Sequence, residues 1–317
     1  MSILEPRIFY KLFEYQEAFN FYKDQHRAHW LADEVPLASD LNDWKLKLTE
    51  SEKNLIGNIL KSFAQTEVHV NDYWSTKVSI WFPKPEIQAM ARVFADFESI
   101  HAEAYARLNE ELGLDDFKAF LDDETSKAKI DRLIEVPGDT IEERAISLAV
   151  FSAFTEGVNL FSSFAILMSF QLRNLMKGTA QIVEWSVRDE SLHSKAGCWL
   201  FRKLLEEQPE LNTIELRGQV VDACNISVQL EFDFIDKAFE MGDVDGLNKD
   251  QLKNFIKARA NEKMIELGYN SIYNDLDPNM LKQMEWFGHL TSGKSHTDFF
   301  ASRVTNYSKS TGDWSDI

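Results

Sequence analysis

The sequence predicts an all-α fold, a single bundle of long helices over residues 1–291 followed by a flexible C-terminal tail over 292–317. Three observations predict it. The 317 residues include only 13 Gly and 7 Pro, too few turn formers for an all-β chain of this size. Those few punctuate long stretches of helical periodicity. Acidic residues also stand inside apolar helix faces, where an unpaired carboxylate would be costly to bury.

Residues 1–46 are mixed in character, with short helical pieces around 13–26. Thr49-Glu50-Ser51-Glu52 has the capping-box pattern and opens a helix that runs to about 82, where Pro83-Lys84-Pro85 breaks it. The next helix covers 85–112 and stops at Gly113. A smaller, polar helical region comes next at about 115–136, closed by Pro137-Gly138-Asp139-Thr140. Long helices are then expected over 141–173 and 177–207, the second closed by Pro209. Two more fit 213–241 and 248–267, with Gly242 and Gly268 at their ends. From Ser292 onward Ser, Thr, Asp and Lys prevail, which reads as a tail. No internal repeat or interdomain linker is visible, so one bundle is the simplest organisation.

The net charge is −18, from 52 acids against 34 bases. Nucleic-acid binders displace counterions with basic surfaces, and no basic stripe exists here, so a nucleic-acid partner is not expected. Cys198 and Cys224 form no CxxC and lie in apolar helical stretches, which reads as two buried thiols in a reducing cytoplasm. The N-terminus lacks the basic start and apolar run of a signal peptide. No membrane span is expected: the most apolar segment, 146–176, is interrupted by Glu156, Asn159 and Arg173.

The chemistry lies in the misplaced acids. Leu60, Phe63, Glu67, Val70 and Trp74 have a three-to-four spacing, so Glu67 sits within an apolar stripe. Glu98 and His101 form an E-x-x-H pair on one face of the next long helix, with Tyr105 on the same face beyond them. The second half repeats the scheme. Glu156 lies among Ala153, Phe154, Leu160 and Phe164, and Glu190 and His193 make a second E-x-x-H. The interval from lone to paired Glu is 31 residues for Glu67 to Glu98 and 34 for Glu156 to Glu190. Four Glu and two His pointing inward from four helices are the ligand set of a dinuclear carboxylate centre, with donors that suit Fe or Mn. One E-x-x-H is weak evidence; two, each preceded by a buried Glu one helix earlier, are specific.

On these residues the chain resembles the small, radical-generating subunit of class I ribonucleotide reductase, in the ferritin-like superfamily. FESIHAEAY (97–105) is similar to the family's first metal helix, ending at the radical tyrosine, and VRDESLH (187–193) to its second E-x-x-H helix. Ala64-Gln65-Thr66-Glu67 and Phe154-Thr155-Glu156-Gly157 match the two lone-carboxylate positions. The resemblance implies a ferritin-like bundle holding two ions (Fe/Fe, Mn/Mn or Mn/Fe) that reacts with an oxygen species. It implies that the oxidant is stored at Tyr105 or on the metals and passed to a cysteine of a separate large subunit, which reduces ribonucleotides. By position, the family's relay maps to Trp30, Asp189, His101 and the tail residue Tyr307. The residues themselves suggest Asp189, beside Glu190, as an acceptor for a ligand histidine's ring N–H. The tail, through Asp298-Phe299-Phe300 and Gly312-Asp313-Trp314-Ser315-Asp316-Ile317, resembles those that dock on the large subunit. A homodimer is implied, and a flavoprotein activator is a further partner the resemblance admits.

Glu67 departs from the family's common Asp, Phe94 stands where some members have Trp, and Ser186 stands where an aliphatic residue is common. A Glu first ligand is similar to lineages that use manganese or a mixed pair, which leaves open whether Tyr105 stores the radical. Two other functions fit part of the pattern. A ferritin-like dimetal oxidase or hydroxylase would share the six ligands but lack the relay and docking tail. A storage or structural bundle would bind many ions or none.

Overall fold

The structure, a computed structural model, describes residues 2–114, 116, 131 and 138–291. Apart from residues 116 and 131, the helical region expected at 115–136 and the whole tail with Tyr307 lie outside the described residues. Every regular element among the described residues is helical.

The expected helix starts are real caps. Thr49 Oγ1 accepts from the Glu52 N–H at 3.3 Å while Glu52 Oε2 accepts from the Thr49 N–H at 2.8 Å. Thr140 with Glu143 and Asn248 with Gln251 repeat the arrangement. In chain order the helices are α1 (Gln16–Arg27), α2 (Ala38–Leu46), α3 (Glu50–Asp72), α4 (Pro85–Leu112), α5 (Ile141–Leu148), α6 (Phe161–Ser169), α7 (Lys177–Glu207), α8 (Ile214–Ala238) and α9 (Lys249–Glu266). Gly113 closes α4 in the left-handed region at φ 73°, where a side chain would be strained. Short helices at Pro278–Gln283 and Glu285–Thr291, not expected from the sequence, complete the described chain.

Two expected helices are not α-helical throughout. α3 runs into a π-helical stretch, Tyr73–Val78, before a last turn at Ser79–Trp81. α5 continues as a longer π stretch, Ala149–Asn159. A π turn accommodates one extra residue while the chain direction continues, so the apolar pattern on either side still reads as one helix.

Residue pairing defines how the helices run. Asn109 Nδ2 donates to the Leu60 carbonyl, Asn71 Nδ2 to the Ala95 carbonyl, and Gln88 Nε2 to the Ser79 carbonyl. One number falls as the other rises, so α3 and α4 form an antiparallel hairpin. Gly197 lies against Ser152 and Gly157 against Ser194, so α7 runs antiparallel to the π stretch in the same way. α1 packs on α4 and α7, while α8 and α9 pack on the π stretch. The core between them is dense in aromatics, with Phe94, Phe97, Phe154, Phe161, Phe164 and Trp74 buried.

The helical run Ile141–Arg173 is apolar and long enough to cross a membrane by length and composition, yet 94% of that window is buried inside the protein. It is the central core helix, and its apolar character is explained by packing on all sides. Cys198 and Cys224 are both buried and free, and burial pushes the Cys198 thiol up to about 12.

Close approach at one glycine makes a test. A Cβ at Gly197 would lie 2.0 Å from Ser152 Cβ, so α7 and the π stretch could not keep their spacing. Gly197→Ala is expected to destabilise the protein by about 1–3 kcal/mol, read as a lowered midpoint in denaturant unfolding. An unchanged midpoint would show that this contact relaxes freely.

Candidate metal centre

All six expected ligands converge. Glu67 comes from α3, Glu98 and His101 from α4, Glu156 from the π stretch, and Glu190 and His193 from α7. Each is at most 1% exposed. Their donor atoms fall into two groups able to hold an ion, Glu67–Glu98–His101–Glu190 and Glu98–Glu156–Glu190–His193, with the atoms of each group within 4.8 Å of one another. Glu98 and Glu190 belong to both groups. That overlap makes two adjacent cation sites with two shared carboxylates.

The imidazoles are oriented alike. His101 turns Nδ1 toward the carboxylates, 3.2 Å from Glu98 Oε2 and 3.0 Å from Glu190 Oε1. His193 Nδ1 lies 2.7 Å from Glu98 Oε1. The Glu190 and His193 contacts are close without hydrogen-bond alignment. His193 Nδ1, Glu98 Oε1, both Glu190 oxygens, Glu67 Oε2 and Glu156 Oε2 have no hydrogen-bond partner among the described residues. Buried polar atoms almost always find partners. Six orphaned donor atoms aimed at one another are explained by cations between them, so the donor set fits a metal pair.

Each ring's outer nitrogen is held by a neighbour. His101 Nε2 meets Asp189 Oδ2 at 3.3 Å, and that oxygen also accepts from Trp30 Nε1 at 2.7 Å. Trp30 stacks near His101 with ring centroids 5.8 Å apart. The Trp30–Asp189–His101 set is thus brought together across separations of 159 and 88 residues.

Gln25 of α1, which sequence reasoning missed, joins this set. Its Nε2 donates to Asp189 Oδ1 at 3.0 Å, and its Oε1 lies 3.1 Å from His193 Nε2. A carboxylate can only accept, so the amide nitrogen must face Asp189 and the amide oxygen must face His193. That fixes a proton on His193 Nε2 and turns Nδ1 toward the carboxylates. The only sequence signal was a Gln on the buried side of an amphipathic helix. Trp74 was noted on the stripe but not as a partner; its Nε1 donates to Glu156 Oε1 at 2.6 Å.

Tyr105 is fully buried, its ring 4.8 Å from that of Phe63, and its hydroxyl has no hydrogen-bond partner among the described residues. Burial and then the charge of Glu67 push its phenol well above the ordinary value, so it stays protonated.

The carboxylates disturb one another. Burial first, then the charges of Glu190 and Glu98, push Glu67 and Glu156 well above the ordinary carboxyl value, and burial with Glu98 raises Glu190. Burial also opposes the charge on Glu98, but His193 and His101 outweigh it and hold that group at about 2. Against the opposing effect of burial, the Asp189 carboxylate, the close Glu190 carboxylate and the bond to Glu98 keep His101 well above the ordinary imidazole value.

A family model described as ribonucleotide reductase, small chain, matches residues 7–279. The chain is 34% identical to a probable ribonucleoside-diphosphate reductase small subunit of Invertebrate iridescent virus 6, spanning 100% of this chain and 99% of that one. It is 28% identical to the small subunit of Dictyostelium discoideum, spanning 93% and 85%. Among solved structures, a putative class I ribonucleotide reductase from Bacillus halodurans matches with a TM-score of 0.80 at 23% identity, covering 87% of this chain and 99% of that one. The dimanganese(II)-NrdF of Streptococcus sanguinis matches with a TM-score of 0.76 at 20% identity, covering 88% and 99%. These two structures bear on the fold.

The raised groups set a pH dependence for the metal-free chain. Glu67, Glu156 and Glu190 contribute stability that is fully present below the unfolded value of 4.5 and is lost as pH rises through their raised folded values. His101 acts in the same direction from its unfolded value of 6.5. Glu98 runs oppositely, losing its contribution only as pH falls toward 2. With chelator present, the melting temperature should therefore decline as pH rises above about 4.5, and Glu67→Gln/Glu156→Gln should flatten that decline. Mn(II) should reverse it, because binding requires the deprotonated carboxylates. The same slope in wild type and double variant would show that these groups are not the source.

Proposed function

The chain belongs to the ribonucleotide reductase small-chain family and is the small subunit of a ribonucleoside-diphosphate reductase; from that premise we propose how its own residues hold two metal ions and pass on an oxidising equivalent. The observation that carries the proposal is the overlap of the two donor groups at Glu98 and Glu190. Glu67 and His101 would complete one ion's ligands, and Glu156 and His193 the other's. Four carboxylates and two imidazoles suit Fe or Mn, and the choice between Fe/Fe, Mn/Mn and Mn/Fe depends on availability as much as affinity. The dimanganese form of the Streptococcus sanguinis relative and the Glu at position 67 favour manganese in at least one position. When bound, the ions supply one-electron oxidation chemistry, driven by an oxygen species.

The residues around them do the rest. Tyr105 is fully buried, so an oxidised Tyr105 would be shielded from solvent reductants. Asp189 keeps its Oδ2 on the Trp30 indole N–H at 2.7 Å, so an electron can leave Trp30 while its proton moves to that oxygen. The same oxygen holds the His101 ring N–H, which ties the indole to the ligand shell. Gln25 keeps Asp189 and His193 in register. Tyr307 and the acidic-aromatic end of the tail would continue the route and dock on the large subunit, with residues 1–291 as the metal-holding domain. We place the reaction in the reducing cytoplasm, in a homodimer of this chain. The relay geometry favours this reading over that of a dimetal oxidase or hydroxylase, which has no use for Trp30 on Asp189.

Two experiments test it. Removing the residues after Ser308 should abolish deoxyribonucleotide formation with the cognate large subunit while elemental analysis still finds about two ions per chain. Surviving activity would refute docking through the tail. Gln25→Leu should lower metal affinity by about 10–100-fold, read by titration with Mn(II), because His193 loses the group that fixes its tautomer. Unchanged affinity would remove Gln25 from the ligand support.

A further inference from the structure

Glu156 differs from the other five ligands in its support. It stands in the eleven-residue π stretch Ala149–Asn159, whereas the others stand on α-helices. π turns are rare and usually short, so a stretch of this length needs its backbone held from outside. Part of that support is local: Thr155 Oγ1 donates to the Val150 carbonyl at 3.1 Å, and Asn159 Nδ2 donates to the Ser227 carbonyl of α8 at 2.9 Å. The residue directly after the ligand is held by α9.

Gly157 is the contact point. Its carbonyl lies in the last turn of the stretch. It accepts from Arg259 twice, from Nε at 3.3 Å and from Nη2 at 3.1 Å. The Arg259 guanidinium is fixed from two further directions. Its carbon lies 3.8 Å from the centroid of the Phe161 ring, just beyond the π stretch, and Nη1 donates to Glu262 Oε2 at 2.8 Å. One turn on, Lys263 presses on the same spot: a Cβ at Gly157 would lie 2.7 Å from Lys263 Cδ and Cε and 2.7 Å from Ser194 Oγ of α7. A side chain at Gly157 would have to displace those of Lys263 and Ser194, so α7 and α9 both close on this residue. Its backbone is gripped by a planar, permanently charged fork that cannot slide without losing both bonds.

We propose that Arg259 is a positioning residue for the metal centre. By holding the Gly157 carbonyl it fixes the register of the π stretch, and with it the place of the Glu156 carboxylate. Its loss selectively weakens the ion bound by Glu156 and His193 and spares the one bound by Glu67 and His101. This rests on the dinuclear reading of the site. It adds that the two ions depend on different supports, one on the α3–α4 hairpin and the other on α9 through a single arginine.

The test is Mn(II) titration of the full chain, with electron paramagnetic resonance at each loading, for wild type, Arg259→Ala and Arg259→Lys. Wild type should bind a coupled pair. In Arg259→Ala one ion should bind as in wild type and the other about 10–100-fold more weakly, giving an uncoupled Mn(II) signal at intermediate loading. Adding His101→Ala to Arg259→Ala should remove the remaining tight ion, while adding His193→Ala should not. Arg259→Lys, which keeps the charge but not the fork, should fall between wild type and Arg259→Ala, and decides the matter if the alanine variant does not fold. Amide hydrogen exchange on the metal-free chain is the second readout: residues 149–160 should exchange faster in the variants, with α3 and α4 unchanged. Equal weakening of both ions, or unchanged affinity with unchanged exchange, overturns the proposal. If wild type binds no ion pair, the dinuclear reading fails, and the exchange measurement still decides whether Arg259 holds the stretch.

Discussion

Four carboxylates share one dry cavity, and the architecture around them is organised to make that tolerable. Burying a single unpaired carboxylate costs about several kcal/mol even after relaxation. Here Glu67, Glu98, Glu156 and Glu190 are brought within reach of one another, and burial with mutual repulsion pushes three of them above the ordinary carboxyl value. Only Glu98, pinned between two imidazoles, keeps its charge. The site thus gathers disfavoured charges and orphaned lone pairs. Cations between these groups would offset their repulsion through coordination, turning a costly cluster into a stable core.

Holding such a site requires stiff elements on every side. The two antiparallel pairings, α3 with α4 and the π stretch with α7, each present a lone Glu opposite an E-x-x-H. Long helices suit this role because the ligands sit in mid-helix, far from fraying ends. α7, which carries Asp189, Glu190 and His193, is secured at its start by Asp40 of α2. That carboxylate accepts from the Gly178 N–H at 2.9 Å and from the Thr179 N–H at 2.7 Å, where the helix dipole favours a negative charge. The N-terminal segment is itself clamped by Arg7 on Glu86 of α4, a buried ion pair that fastens the segment leading into α1 and hence Gln25.

A second layer of side chains surrounds the cluster and, in the proposed reading, would give the redox chemistry its direction. Asp189 receives Trp30, His101 and Gln25 on its two oxygens, so the outer nitrogens of both ligand histidines are tied through one carboxylate. On the opposite side, Trp74 donates to Glu156 and Arg259 grips the carbonyl next to it. The two donor groups therefore share Glu98 and Glu190 but meet different neighbours, an asymmetry through which, as proposed, the chain would treat two ions differently.

The sequence alone placed the long helices and singled out the six side chains that converge in the fold, because helix signals are local. Caps at Thr49, the stop at Gly113 and acids placed three to four residues from apolar neighbours all act within a turn or two of chain. Tyr105 was legible from its helix face and Asp189 from its place beside Glu190, whereas Trp30 was legible only through family resemblance. Tertiary structure alone decided the rest. Gln25 meets Asp189 across 164 residues and His193 across 168, and Arg259 meets Gly157 across 102; such bonds leave no mark on local periodicity. The π stretches were hidden for a related reason. One extra residue per turn shifts the register of the downstream residues without interrupting the run of apolar side chains, so only the folded backbone reveals that Glu156 reaches the site from a wider turn than its partners.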